Sequence, residues 1–107
     1  MKRLLFLCSQ NKLRSPTAEA VFADWPGVEA DSAGLNNDAE VTLSEEQIAW
    51  ADVILVMEKT HRNRLNRKFG KALGGKKIVV LNIPDDYAFM DSELVALLQR
   101  RCAPHLP

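Results

Sequence analysis

Lys2-Arg3-Leu4-Leu5-Phe6-Leu7-Cys8-Ser9-Gln10-Asn11-Lys12-Leu13-Arg14-Ser15-Pro16-Thr17 is the stretch on which the fold turns. The unbroken apolar run Leu4–Leu7 suits a strand buried on both faces, as in a parallel sheet. Pro16 suits the first position of a following helix, and Ala18, Val21, Phe22 and Trp25 recur at i, i+3, i+4, i+7 along one helical face. A cysteine therefore stands where a strand ends and a helix begins, six positions before an arginine that a serine follows.

A loop at that junction turns backbone N–H groups toward one point and adds the positive end of the helix dipole. Such a cradle favours the thiolate over the thiol. Arg14 can grip two oxygens of a tetrahedral anion with its fork. Ser15 can donate a hydrogen bond to the sulfur, or cap the helix, or do both at different moments.

Outward from this junction the chain alternates. Val28–Ser32 is a short strand, with Ala33-Gly34 a turn and Asn36-Asn37-Asp38 a loop. Leu43-Ser44-Glu45-Glu46-Gln47-Ile48 opens a helix with a capping box (Ser44, Gln47) and a hydrophobic staple (Leu43, Ile48), ending near Ala51. Asp52–Met57 is a second buried strand. Thr60 is expected to cap a basic helix with the stripe His61, Leu65, Phe69, Leu73, stopped by Gly74-Gly75. Lys77–Asn82 is the last strand, and Asp91 caps a final helix that turns Leu94, Leu97, Leu98 and Cys102 to one face. His61 is expected to pack rather than to ligate or catalyse. Strands alternating with helices predict an α/β fold, an open four-stranded parallel sheet with helices on both faces and residues 1–107 as a single domain.

Asp85 and Asp86 follow the last strand, at the carboxyl edge where open parallel sheets carry ligands. Cys-x5-Arg-Ser with the tail Pro-Thr-Ala-Glu, then Asp31-Ser32-Ala33-Gly34, Asp52–Glu58 and Asp85-Asp86-Tyr87 in that order, resemble the low-molecular-weight protein tyrosine phosphatases over most of the chain. The resemblance implies strand order 2-1-3-4 and phosphomonoester hydrolysis through a phosphocysteine. It implies Cys8 as nucleophile and Arg14 as transition-state clamp. Ser9, Gln10, Asn11, Lys12, Leu13, Arg14 and Ser15 become the phosphate loop, with Asn11 holding its shape. Asp85 becomes the general acid, a role its neighbour Asp86 could exchange with it, and Asp86 and Tyr87 become rim residues. It implies a phosphotyrosyl protein substrate, affinity for phosphate and other oxyanions, and no metal or organic cofactor.

The sequence departs from the family at several points. Leu13 stands where a second cysteine often precedes the arginine. Gln10 stands for a glycine, Lys12 for an apolar mouth residue, and Asp86 for a proline after the acid. The chain is short, with no evident aromatic rim near Leu35. Four other readings remain: a non-catalytic phosphate-binding module, an arsenate reductase-like enzyme, a phosphocysteine carrier and a nucleic-acid-binding protein. Cys102 alone is a poor electron relay for the second, and a carrier has no use for Arg14 and Asp85.

Composition bounds the rest. Hydrophobic residues at 47% and charged residues at 26% are ordinary for a soluble domain. No apolar run approaches the roughly 20 residues of a membrane span, and no secretory signal is evident. Two distant cysteines argue for a reducing cytoplasm. Net charge is zero, yet Ser15–Glu58 carries ten acids and no Lys or Arg, and Lys59–Lys77 carries eight cations and no acid. The ordinary reading of that basic stretch is a solvated helix face, which weighs against nucleic acid as partner.

Overall fold

Leu4, Leu5, Phe6 and Leu7 are all fully buried, and the strand they form lies inside the sheet. A computed structural model describes residues 1–107. Strand β1 spans Lys2–Cys8 and helix α1 Arg14–Phe22. They are followed by β2 Val28–Gly34, α2 Glu45–Trp50, β3 Val53–Val56, α3 Lys59–Leu73, β4 Lys77–Val80, α4 Ser92–Cys102 and a 3-10 turn at Ala103–His105. The sheet is wholly parallel in the order β2-β1-β3-β4.

Period-two alternation along the central strands splits the core in two. Leu4, Phe6, Val53 and Leu55 face α1 and α4, packing with Ala18, Phe22, Leu94 and Leu98. Leu5, Leu7, Ile54 and Val56 face α2 and α3, packing with Ile48, Leu65 and Leu73. Phe22 ties the first layer together, stacked on Phe6 at 5.7 Å between centroids and edge-on to Trp25 at 5.3 Å. Cys102 ends α4 in this layer, where burial pushes its thiol pKa up to about 12.

The Ser44–Gln47 capping box and the Asp91 cap form as the spacing predicts. Five local expectations are corrected. Ala33 and Gly34 are strand rather than turn, because Leu7↔Ala33 and Cys8↔Gly34 extend the β1 register. Helix α1 starts at Arg14, two residues ahead of Pro16, so Ser15 lies inside it and caps nothing. Thr60 lies inside α3, whose cap position is Glu58; the Glu58 N–H donates to His61 Nδ1 at 3.0 Å. The stripe of α3 breaks at Phe69, whose φ of −128° is not helical, and Phe69 is only half-buried. β4 is regular only to Val80, although Leu81 and Ile83 still donate to the carbonyls of Val56 and Met57 at 2.9 and 2.8 Å.

Candidate functional site

The loop after β1 is tied down from outside. The carbonyls of Cys8, Ser9 and Gln10 accept from the N–H groups of Leu35, Asn36 and Glu40, each at 3.0 Å. With the carbonyls committed outward, the N–H groups of Ser9, Gln10, Lys12 and Leu13 enter no backbone hydrogen bond. Gly34 makes this close approach possible. A Cβ there would lie 2.6 Å from the Ser9 carbonyl oxygen and 2.5 Å from Ala39 Cβ. The left-handed backbone angle in the loop falls at Asn11 (φ 56°) and not at Gln10. Asparagine tolerates that region better than other non-glycine residues, so Gln10 costs the loop nothing in backbone strain.

The sulfur of Cys8 has two partners. Asn11 N–H donates to it at 3.2 Å, and Ser15 Oγ lies 2.9 Å away. Asn11 Nδ2 donates to Ser15 Oγ and to Ser32 Oγ, both at 2.9 Å. Ser32 in turn donates to Glu19. This chain of donors directs the Ser15 hydroxyl proton at the sulfur, an arrangement that stabilises negative charge there. The sequence pointed to Asn11 and Ser15. It assigned no role to Ser32 and Glu19, although both stand in the motifs that carried the resemblance, Asp31–Gly34 and Pro16–Glu19.

Arg14 is 5% exposed, and its guanidinium is fixed from one side. Nη1 donates to Glu58 Oε2 at 2.6 Å and to the Ile83 carbonyl at 2.8 Å, while Nε lies 3.6 Å from Asp85 Oδ1. Nη2 makes no hydrogen bond within the protein. Glu58 was quoted in the sequence only as the end of a strand motif; it is the residue that holds the arginine.

His61 is buried at 2% exposure. Burial first, then the Arg14 guanidinium, lowers its pKa to about 4, against an opposing pull from Glu58. The ring is therefore neutral near pH 7. Because Nδ1 accepts from Glu58 N–H, Nε2 carries the proton and donates to Ser9 Oγ at 3.1 Å. Arg64 Nη1 donates to the same oxygen at 2.9 Å. Two donors use both acceptor positions of the Ser9 hydroxyl, so its own proton is free to point into the cleft.

The cleft encloses about 290 Å³ and is lined by Cys8, Ser9, Gln10, Lys12, Leu13, Arg14, Glu58, Thr60, His61 and Asp85. Seven candidates from the sequence thus come together with three residues of the β3–α3 junction. Asn11 and Ser15 lie behind the wall; Asp86 and Tyr87 are absent from the lining. Asp86 is exposed, and Tyr87 packs half-buried against the α1–α4 layer. No aromatic side chain lines the cleft. No three His, Cys, Asp or Glu residues gather as a metal site, and no helix is long and apolar enough to cross a membrane. The arrangement can hold a tetrahedral anion between loop amides and a guanidinium, with a sulfur beneath it and a carboxyl group beside it.

No family model matches the sequence. A protein-arginine-phosphatase from Geobacillus stearothermophilus is 31% identical over 94 residues, covering 65% of this chain and 64% of that protein. The alignment thus spans just under two thirds of that relative's length. The solved structure of the YwlE arginine phosphatase from the same organism superposes with a TM-score of 0.77 at 26% identity, over 98% of this chain and 92% of that one. The tyrosine phosphatase Wzb from Escherichia coli K30, in complex with phosphate, superposes with a TM-score of 0.76 over 97% and 95% of the two chains; at 21% identity it speaks to the fold.

Proposed function

We propose that this chain is a member of the low-molecular-weight protein tyrosine phosphatase family, and from that premise that it is a cysteine-dependent, metal-independent phosphatase with residues 1–107 as one catalytic domain. The observation that carries the reading is the sulfur of Cys8, held by Asn11 N–H and Ser15 at the base of a cleft that Arg14 closes.

In the proposed reaction Cys8 attacks phosphorus in line. The S–P bond forms as the P–O bond to the leaving group breaks. The loop amides and Arg14 take up the charge on the equatorial oxygens. Asp85 gives its proton to the leaving oxygen. It then takes a proton from the water that attacks the phosphocysteine, and the P–S bond breaks to return the thiolate, still held by Asn11 and Ser15. Asp85 is supported over Asp86 because it lines the cleft and reaches Arg14.

The substrate of the first reading is phosphotyrosine in a protein, whose neutral ring would rest against Leu13. Phosphoarginine is the second reading, supported by the activity named for the relative. It would bring a cationic guanidinium to a mouth that already holds Lys12. Two free thiols support a cytoplasmic setting. The test is hydrolysis of an aryl phosphate by the wild type and by Cys8→Ser, followed by phosphotyrosyl and phosphoarginyl peptides of one sequence. Cys8→Ser is expected to lose turnover while still binding phosphate. Full activity in that variant, or loss of wild-type activity to a chelator, overturns the mechanism. Faster turnover of the phosphoarginyl peptide selects the second substrate.

A further inference from the structure

Thr60 lines the cleft at the start of α3, and Arg64, Arg67 and Lys71 follow it at helical spacing on the same face, with Lys68 beside them. Arg64, Arg67 and Lys68 line one surface hollow, and Arg67, Lys68 and Lys71 line a second with Glu45 opposite. None of the eight cations from Lys59 to Lys77 enters any of the molecule's four salt bridges. Arg64 and Lys68 are partly engaged, donating to Asn36 and to Leu35 O and Asn37 Oδ1, which fixes them beside the phosphate loop. Arg67 and Lys71 are exposed and make no side-chain hydrogen bond. A track of positive charge outside any salt bridge thus begins at the mouth of the cleft, with Glu45 the one acid along it.

Resting on the phosphatase reading, we infer that this face of α3 docks an acidic segment of the phosphorylated protein substrate. Charge complementarity selects the occupant. Nucleic acid fits less well. The molecule has no net charge, unlike the basic domains that bind nucleic acid. One aromatic ring borders the track: Phe69 lines the second hollow but is half-buried against the α2–α3 layer, a single ring where stacking along a strand uses several. Thr60 and Arg67 are about 10 Å apart along the helix at 1.5 Å per residue. An extended peptide covers that in about three residues. The acidic side chains therefore belong about three to five positions from the phosphorylated residue.

The test compares kcat/KM for phosphotyrosyl peptides with Asp or Glu at those positions, on either side of the phosphorylated residue, against the same peptides with Ser. An aryl phosphate serves as reference. The Arg67→Glu/Lys71→Glu variant is expected to lose about fivefold to tenfold on the better acidic peptide, in keeping with exposed charge pairs. It should lose nothing on the aryl phosphate, and the wild-type preference should fade with added salt. Equal rates on acidic and neutral peptides overturn the inference, as does an equal loss on the aryl phosphate. Tighter binding of a single-stranded oligonucleotide than of the acidic peptide at physiological salt overturns it in favour of nucleic acid. Should no phosphate ester be hydrolysed at all, the peptides are titrated into the Cys8→Ser protein. Affinity that depends on Arg67 and Lys71 then supports the docking face although the catalytic reading has failed, and affinity indifferent to them overturns it.

Discussion

The two loops that meet over the cleft are built in opposite ways. The loop after β1 is held on every side: its carbonyls by residues 35–40, its sulfur by Asn11 and Ser15, its arginine by Glu58 and Ile83. The segment after β4 has almost none of this. Asp85 and Asp86 are exposed, Phe89 and Met90 are 53% and 44% exposed, and from Asp85 to Met90 the tethers are the 3.6 Å approach of Asp85 to Arg14, the packing of half-buried Tyr87 and a 3.0 Å bond from Met90 N–H to Thr17 Oγ1. The cradle is thus formed in advance, while Asp85, the proposed proton donor, hangs on the guanidinium proposed to grip the phosphate. The proposed chemistry asks for that split: rigidity where charge would develop, and freedom where a proton would be delivered and taken back.

The sharpest way to break this contrast is at Arg14. Arg14→Lys replaces a fixed fork by a point charge and removes the link to both Glu58 and Asp85. Turnover is expected to fall about 10³-fold, the scale of losing a preorganised oxyanion donor. A near-normal rate, measured by single-turnover phosphorylation of Cys8, would show that the loop amides suffice and that the preformed arginine is incidental.

The loose side is tested with Asp85→Asn, where the loss should depend on the leaving group. About 10²-fold is expected on phenyl phosphate, at the low end for general acid assistance, and much less on nitrophenyl phosphate, whose phenolate departs nearly unaided. Asp86→Asn should change either rate less than about twofold, as befits a surface substitution away from the site. A leaving-group slope that steepens for Asp86→Asn instead would transfer the proton to Asp86.

The rigid side has a signature in stability. The pKa of His61 in the folded protein, about 4, lies below its usual 6.5. The unfolded chain therefore binds the proton first as pH falls. This contribution to stability is complete above about 6.5 and is lost as pH falls toward 4, with a slope of at most about 1.4 kcal/mol per pH unit. Urea melts at pH 7, 6 and 5 should show it, and His61→Gln, which keeps a side-chain donor for Ser9, should flatten it. An unchanged slope would place the acid sensitivity elsewhere.

Sequence legibility followed the same division. The apolar runs Leu4–Leu7 and Val53–Val56, the capping box at Ser44 and the Cys8–Arg14 spacing are local patterns, and each carried its element or loop into place. Gly34 was legible only as a turn, since the need for a missing Cβ comes from Ser9 and Ala39 crossing above it. Glu19, Ser32 and Glu58 stood in motifs and Arg64 in none, but no role could be read for any of them because each acts on a partner 13 to 55 positions away. Polar side chains of that kind leave no periodicity. Tyr87, placed on the rim by motif order, packs against the α1–α4 layer because an aromatic body finds more apolar surface there than in a cleft lined by polar groups.

The grouping of Arg14 with Glu58 and Asp85 makes a bound anion a competitor for contacts that already exist. One guanidinium answers two carboxylates, Glu58 at 2.6 Å and the exposed Asp85 at 3.6 Å. An oxyanion that took the contact at Nε would displace the longer and more exposed of the two, and like charges brought that close repel. On this view Asp85 is a placeholder that keeps the arginine aligned until an anion takes its position. Phosphate titrated into the Cys8→Ser protein by calorimetry should then bind more tightly once Asp85→Asn is added, and an unchanged affinity would show that the two do not compete.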